Sequence, residues 1–479
     1  MNFKQSMKKL TLITASIFLI VACKTAPKEE KKTVAKTIAP VSDEMMESAV
    51  IYEANIRQYS REGTFDAFTK DIPQLKELGV KIIWLMPVFP ISQTKRKATG
   101  GDFASKIKDP KERAKALGSY YAVSDFTKIN PEFGTIQDFR ELVKVAHEND
   151  MYVILDWVPN HTGWDHTWLK TNPEFYTKNA KGEITDPLNA DGTSVGWADV
   201  ADLNYNSIGL RKAMIKDLSY WIENEGVDGY RCDVAGSVPT DFWQEAVPQL
   251  RAKKDIFMLA EAWEPELLQK GLFDMAYGWD RHHTLNHIAK EGGAKAWDDT
   301  YAKDTARYEK DDILMTFVTN HDENSWNGTI KERMGDAAEA LTALSYLAPG
   351  MPLIYSGQEY GLNHRLKFFE KDSIPHTKGK EWDLLQKLGA LKQSSLALNG
   401  GKKAASYERL KTDKKLLAFA RKKGKDEIVF VANFSNKILK TSLSRDGVFK
   451  DYFNGKEIKL SGKEAIDFSP WEYKILIKK

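Results

Sequence analysis

A (β/α)8 barrel with a small domain inserted after its third strand and a C-terminal all-β sandwich is the fold this sequence predicts. Three observations carry it. Strand-like and helix-like runs alternate between residues 49 and 398, as a parallel sheet with crossover helices requires. Eight such units suit a closed barrel better than an open sheet. Beyond residue 399 the alternation stops, and LLAFARK, EIVFVANFS and WEYKILIKK are β-rich with short turns.

The elements follow in order. AVIYEAN (49–55) is the first strand, and a helix over 65–78 is stopped by Gly79. VKIIWLMPV (80–88) and MYVILDWV (151–158) are apolar on both faces, as buried parallel strands are. A helix over 136–148 separates them, after a charged excursion at 95–118. Residues 157–206 lack helical periodicity and are rich in Asn, Asp, Gly, Thr and Trp, which marks the inserted domain. A helix over 210–225 leads to VDGYRCD (227–233), and a helix from Pro239 to IFMLAEAW (256–263). The sixth strand, near 273–277, is weak. ILMTFVTN (313–320), a helix over 331–347, MPLIYSG (351–357) and a helix over 382–395 complete the series. The barrel is thus expected over 46–156 and 207–398, and the sandwich over 399–479.

The leader has its own chemistry. Lys4, Lys8 and Lys9 precede an apolar run at 10–22, shorter than the about 20 residues that span a bilayer. The run ends Leu19-Ile20-Val21-Ala22-Cys23, which resembles a bacterial lipobox. Residues 1–23 are read as a lipoprotein signal and 24–45, Lys-rich with Pro27 and Pro40, as a flexible tether. The chain is then exported and lipid-anchored through Cys23 to the cell envelope, with the outer membrane as the expected site. Cys232, the other of two cysteines, has no disulfide partner in that case. The 70 basic and 67 acidic residues leave +3, too balanced for a nucleic-acid binder.

Barrel chemistry collects at the carboxyl ends of the strands. There stand Asp156 and His161, Arg231 and Asp233, Glu261 and Trp263, and His321 and Asp322. Arg231 and Asp233 share one face of their strand, so the guanidinium should hold that carboxylate ionised. Glu261 ends an apolar strand, where desolvation raises a carboxyl and suits a general acid. One ionised and one protonated carboxyl is the pairing that glycoside hydrolysis uses.

DWVPNH, GYRCDV, MLAEAW and TNHD, with ADLN (201–204), resemble the short signatures of the α-amylase family, glycoside hydrolase family 13. The resemblance implies Asp233 as nucleophile, Glu261 as general acid/base and Asp322 as the third acid, binding sugar hydroxyls. It implies that Arg231 stands beside the nucleophile, that His161 and His321 bond the sugar, that Tyr121 stacks on it, and that Asp156 supports the site. Asn160 and Asp202 match calcium-site positions. The family's Lys-His after the nucleophile is replaced by Gly236 and Ser237, so acceptor contacts must differ, with Trp263 as a substitute platform.

The implied activity is that of an endo-acting, retaining α-amylase on α-1,4 bonds of starch or maltodextrins, without an organic cofactor. An exo-acting α-glucosidase or maltogenic enzyme, a transglycosylase and a non-catalytic glucan binder are the alternatives; intact Asp233, Glu261 and Asp322 oppose the last. Trp164, Trp168 and Trp197 divide between core and sugar platform, and Arg365 is a distal candidate.

Overall fold

The computed structural model describes residues 38–479. The leader, Cys23 and most of the tether lie outside the described residues. Eight parallel strands close a barrel: β1 (Val50–Ala54), β2 (Val80–Leu85), β3 (Tyr152–Trp157), β4 (Gly229–Cys232), β5 (Phe257–Ala260), β6 (Met275–Tyr277), β7 (Ile313–Thr316) and β8 (Met351–Tyr355), with β1 pairing both β2 and β8. The weak sixth strand is real and three residues long.

Alternation along the strands builds two cores. One file of side chains packs inside the barrel, among them Ile82, Trp84, Ile154, Phe257 and Leu259. The other packs outward against the helices, among them Ile83, Val153, Leu155, Met258 and Ala260. Followed to the carboxyl ends, the inward file turns polar at Glu53, Asp156, Arg231 and Glu261. The barrel's packed interior is therefore the floor of the site. Gly229 opens β4 at φ 148°, where a Cβ would fall 1.8 Å from the Phe257 carbonyl oxygen on β5, so only glycine fits.

Two expected helices are broken. The segment 65–78 is three short pieces, Phe65–Thr69, Ile72–Leu75 and Lys76–Leu78, with Pro73 at the start of the second. The segment 331–347 divides into Ile330–Met334 and Ala338–Leu347 at Gly335, whose φ is 50°.

The tether, read to residue 45, ends earlier. Asp43–Ser48 is a helix capped by Ser42, and Ile38, Val41 and Met45 pack against the barrel interior from below. The Tyr152 hydroxyl donates to the Pro40 carbonyl at 3.4 Å. Three apolar side chains in a polar stretch suffice to dock it on an open barrel floor.

Between β3 and β4 the inserted segment holds a two-stranded sheet, His161–Gly163 with Val200–Asp202. After the helix Lys380–Ser394 come a six-stranded and a two-stranded antiparallel sheet that share a core around Leu416, Val429, Phe449 and Phe468. No helix of the described residues is long and apolar enough to cross a membrane.

Candidate active site

Strand register brings the site together. Asp156 on β3 and Arg231 on β4 are direct ladder partners. Arg231 is fully buried and touches three carboxylates. Its Nη1 donates to Asp156 Oδ1 at 2.8 Å and to Asp233 Oδ1 at 3.0 Å, and its Nη2 lies 2.8 Å from Glu261 Oε2. That last contact is too bent to count as a hydrogen bond. Nε donates to the Tyr277 hydroxyl at 3.1 Å, and the guanidinium lies 5.0 Å from the Trp84 ring centroid.

One cation shared among three acids changes the expected electrostatics. Burial raises Asp233 well above the carboxylate range; Arg231 opposes it, and Glu261, Asp156 and Asp322 add to it. Asp156 is raised to about 6 by burial against the pull of Arg231. The expectation that Arg231 depresses Asp233 therefore fails. For Asp233 and Asp156, burial beside other acids outweighs the pull of the one guanidinium they share. Glu261 Oε2 accepts from the Val234 N–H at 2.8 Å. Val234 holds this amide in place from the left-handed region, at φ 38°, a strained conformation for a β-branched residue.

A second network surrounds His321. The Tyr121 hydroxyl donates to Asp156 Oδ2 at 3.0 Å, so its oxygen is left to accept from His321 Nε2 at 2.8 Å. His321 Nδ1 meets Glu53 Oε1 at 2.5 Å. With Glu53 as a carboxylate, both ring nitrogens carry hydrogen, which makes His321 an imidazolium. Burial disfavours that charge, but Asp322 and Glu53 outweigh it and raise His321 to about 9. Asp322 Oδ2 is 3.4 Å from His321 Nε2, and Asp322 Oδ1 accepts from Trp326 Nε1 at 3.2 Å. His161 faces the same space but is held neutral, its pKa lowered by burial to about 3.

Tyr121, His161, Asp233, Glu261, His321 and Asp322 line one cavity of about 710 Å³. Trp197 and Arg365 also line it, whereas Trp164 and Trp168 pack against the core. Trp263 does not join the lining. It stands 40% exposed with its ring 6.0 Å from that of Trp279. Gly236 has its reason in Glu264, whose carboxylate oxygen would lie 2.6 Å from a Cβ there. Sequence reasoning missed Glu53, Tyr277 and Trp326. The signal for Glu53 was a lone charge inside the apolar run AVIYEAN.

Asn160 and Asp202 adjoin, since Leu203 N–H donates to the Asn160 carbonyl at 3.1 Å. Burial raises Asp202 to about 6, and among the described residues it makes no ion pair. A carboxylate without an ion-pair partner suits a hard cation that takes oxygen ligands. No group of three or more His, Cys, Asp or Glu among the described residues is placed to hold a metal, so the rest of a calcium shell would be amide and backbone oxygen.

Comparison with known proteins agrees with this geometry. The α-amylase catalytic-domain model matches residues 27–184 and 194–428, and the α-amylase C-terminal all-β model matches 408–470. An α-amylase, MalA, of Haloarcula japonica is 26% identical over 404 residues, 81% of this chain; the chain spans 56% of that relative's length. A 4-α-glucanotransferase of Thermotoga neapolitana is 26% identical over 354 residues, covering 65% of this chain and 71% of the relative. The solved structure of a maltogenic α-amylase, AmyB, from Thermotoga neapolitana superposes with TM-score 0.78 at 27% identity, over 90% of this chain and 98% of that one. An α-amylase from Lactobacillus plantarum gives TM-score 0.76 at 28% identity, over 90% and 99%. With both domain models matched along the barrel and the β domain that follows it, the chain belongs to the α-amylase family of glycoside hydrolases.

Proposed function

We propose that the protein hydrolyses α-1,4-glucosidic bonds of starch-type glucans and maltodextrins by double displacement with retention. The observation that carries this reading is the Arg231 hub, which holds Asp233 and Glu261 on one guanidinium. Asp233, which receives the aligned hydrogen bond from Arg231, is the carboxylate placed to attack. Its Oδ attacks the anomeric carbon while Glu261 gives its proton to the departing glycosidic oxygen. The bond from carbon to that oxygen breaks, and a glycosyl ester of Asp233 forms. Glu261, now a carboxylate, takes a proton from water, whose oxygen attacks the same carbon and frees Asp233. Tyr121 offers the glycone a ring face. Asp322 accepts from its hydroxyls, and the His321 imidazolium, whose N–H groups are taken by Glu53 and Tyr121, keeps a positive charge beside them.

Proton NMR of the first product tests this. An α-configured hemiacetal at the earliest time is expected, and a β-configured one would refute the mechanism. Elongated oligosaccharides without net hydrolysis would make the protein a transferase.

Two further parts belong to the same proposal. Calcium at Asn160 and Asp202 would fasten residues 157–206 to the barrel, and the chemical steps do not pass through it. Lipid on Cys23 would anchor the protein to the cell envelope, on the lipobox-like leader alone.

A further inference from the structure

The charged excursion after β2 is tied to two other segments around the mouth of the cavity. Lys97 Nζ lies 3.1 Å from Asp199 Oδ1 of the inserted segment, and the two side chains are only 17% and 7% exposed. The same ammonium donates to the Gly196 carbonyl at 3.3 Å. Two residues on, Thr99 Oγ1 donates to Glu370 Oε1 at 2.6 Å, and Leu117 N–H donates to the Phe369 carbonyl at 2.7 Å. Three loops that start from different strands thus form one continuous rim.

The rim lies on one side of the acids. Phe368, next to its Phe369 tie, stacks on Tyr121 with centroids 6.4 Å apart and planes 10° apart. Lys97, Thr99 and Asp199 line the same cavity as Tyr121, Asp233 and Asp322. In the double displacement above, the sugar joined to Asp233 rests on Tyr121, and the leaving part departs past Glu261. On that side the exposed Trp263 stands outside the cavity. The Lys97–Asp199 bridge lines the cavity beside the acids, and breaking it to widen the opening would leave a charge nearly buried and unpaired. The cavity also has the size of a small-molecule pocket, typically about 300–1,000 Å³, with room for a few sugars.

We propose that the Lys97–Asp199 tie closes the glycone end of the cleft, so that the protein works from the non-reducing ends of α-1,4-linked maltooligosaccharides and releases a short product of fixed length. This replaces the mid-chain cutting expected from the sequence, and it rests on the retaining glucan hydrolysis proposed above.

The test compares p-nitrophenyl maltoheptaoside with its analogue carrying a cyclic acetal on the non-reducing sugar, followed by chromatography with the full chain. Wild type should cleave the blocked substrate about tenfold more slowly or worse in kcat/KM, a usual scale for pocket discrimination. The free substrate should give one predominant short product from the first minutes. Lys97→Met and Asp199→Asn should each bring the blocked-to-free ratio towards one. Equal wild-type rates with a spread of early products would overturn end action, whatever the variants do. A folded variant with the wild-type ratio would overturn the role of the tie. A wild type inactive on both substrates would overturn the glucan reading, and this inference with it.

Discussion

Glu53→Gln should move the alkaline limb of activity and flatten the alkaline loss of stability. The introduced amide is isosteric with the carboxylate and can still accept from His321 Nδ1, but the change removes one of the two anions that hold the ring charged. His321 titrates near 9 in the fold, whereas an unfolded histidine titrates near 6.5. A folded value above the unfolded one stabilises fully below about pH 6.5, and the gain fades as pH rises through about 9. At 1.36 kcal/mol per pH unit, the gap is worth about 3 kcal/mol, set jointly by Asp322 and Glu53 against burial. Half of that, on the order of 1–2 kcal/mol, is a fair share for one charged hydrogen bond. A chain this long shifts its melting midpoint by roughly 1 °C per kcal/mol. Between pH 6.5 and 9.5 the midpoint of the variant should therefore fall by about 1–2 °C less than that of wild type, the other titrating groups being common to both. The kcat/KM profile reads the same group, and its upper limb should shift towards neutral pH in Glu53→Gln. A variant with an unmoved limb and the wild-type slope of midpoint against pH would show that Glu53 does not hold the charge on His321.

Glu261→Gln should lose about 10²–10⁴ in kcat on starch, the usual worth of a general acid. It should keep most of its glycosylation rate on α-glucosyl fluoride, which needs no proton to depart, and azide should rescue its turnover. Asp233→Asn should be inactive on both substrates; rescue of that variant instead would reverse the two roles. Calcium should raise the melting midpoint of wild type but not of Asp202→Asn, and chelation should bring the two together; a calcium response equal in both would remove Asp202 from the site. Cys23→Ser should move the protein from the membrane to the soluble fraction with unchanged specific activity, and continued sedimentation with membranes would exclude a lipid anchor on Cys23.

The barrel was legible because buried parallel strands are apolar on both faces, and the acids because they end such strands. Arg231 and Asp233 stand two residues apart on one strand, so alternation alone put them together. Other parts depend on pairs that sequence does not join. Lys97 and Asp199 lie in two loops without periodicity, and only the folded backbone brings them to 3.1 Å. The same holds for Glu53 and His321, which begin and nearly end the barrel and become neighbours because the sheet closes. The proton affinities were misjudged because a strand pattern shows one arginine beside one aspartate, not three acids sharing it. The floor segment was hidden by composition, since Ile38, Val41 and Met45 stand among charged neighbours.

That floor segment also sets a direction. The described chain enters at Ile38, beneath the barrel, while every acid of the site stands at the opposite, carboxyl ends of the strands. Whatever precedes Ile38 is thus attached at the pole farthest from the chemistry. Were Cys23 lipidated as proposed, its chain would join the body at that pole and not beside the mouth. The docked helix Asp43–Ser48 makes the last stretch of that attachment stiff.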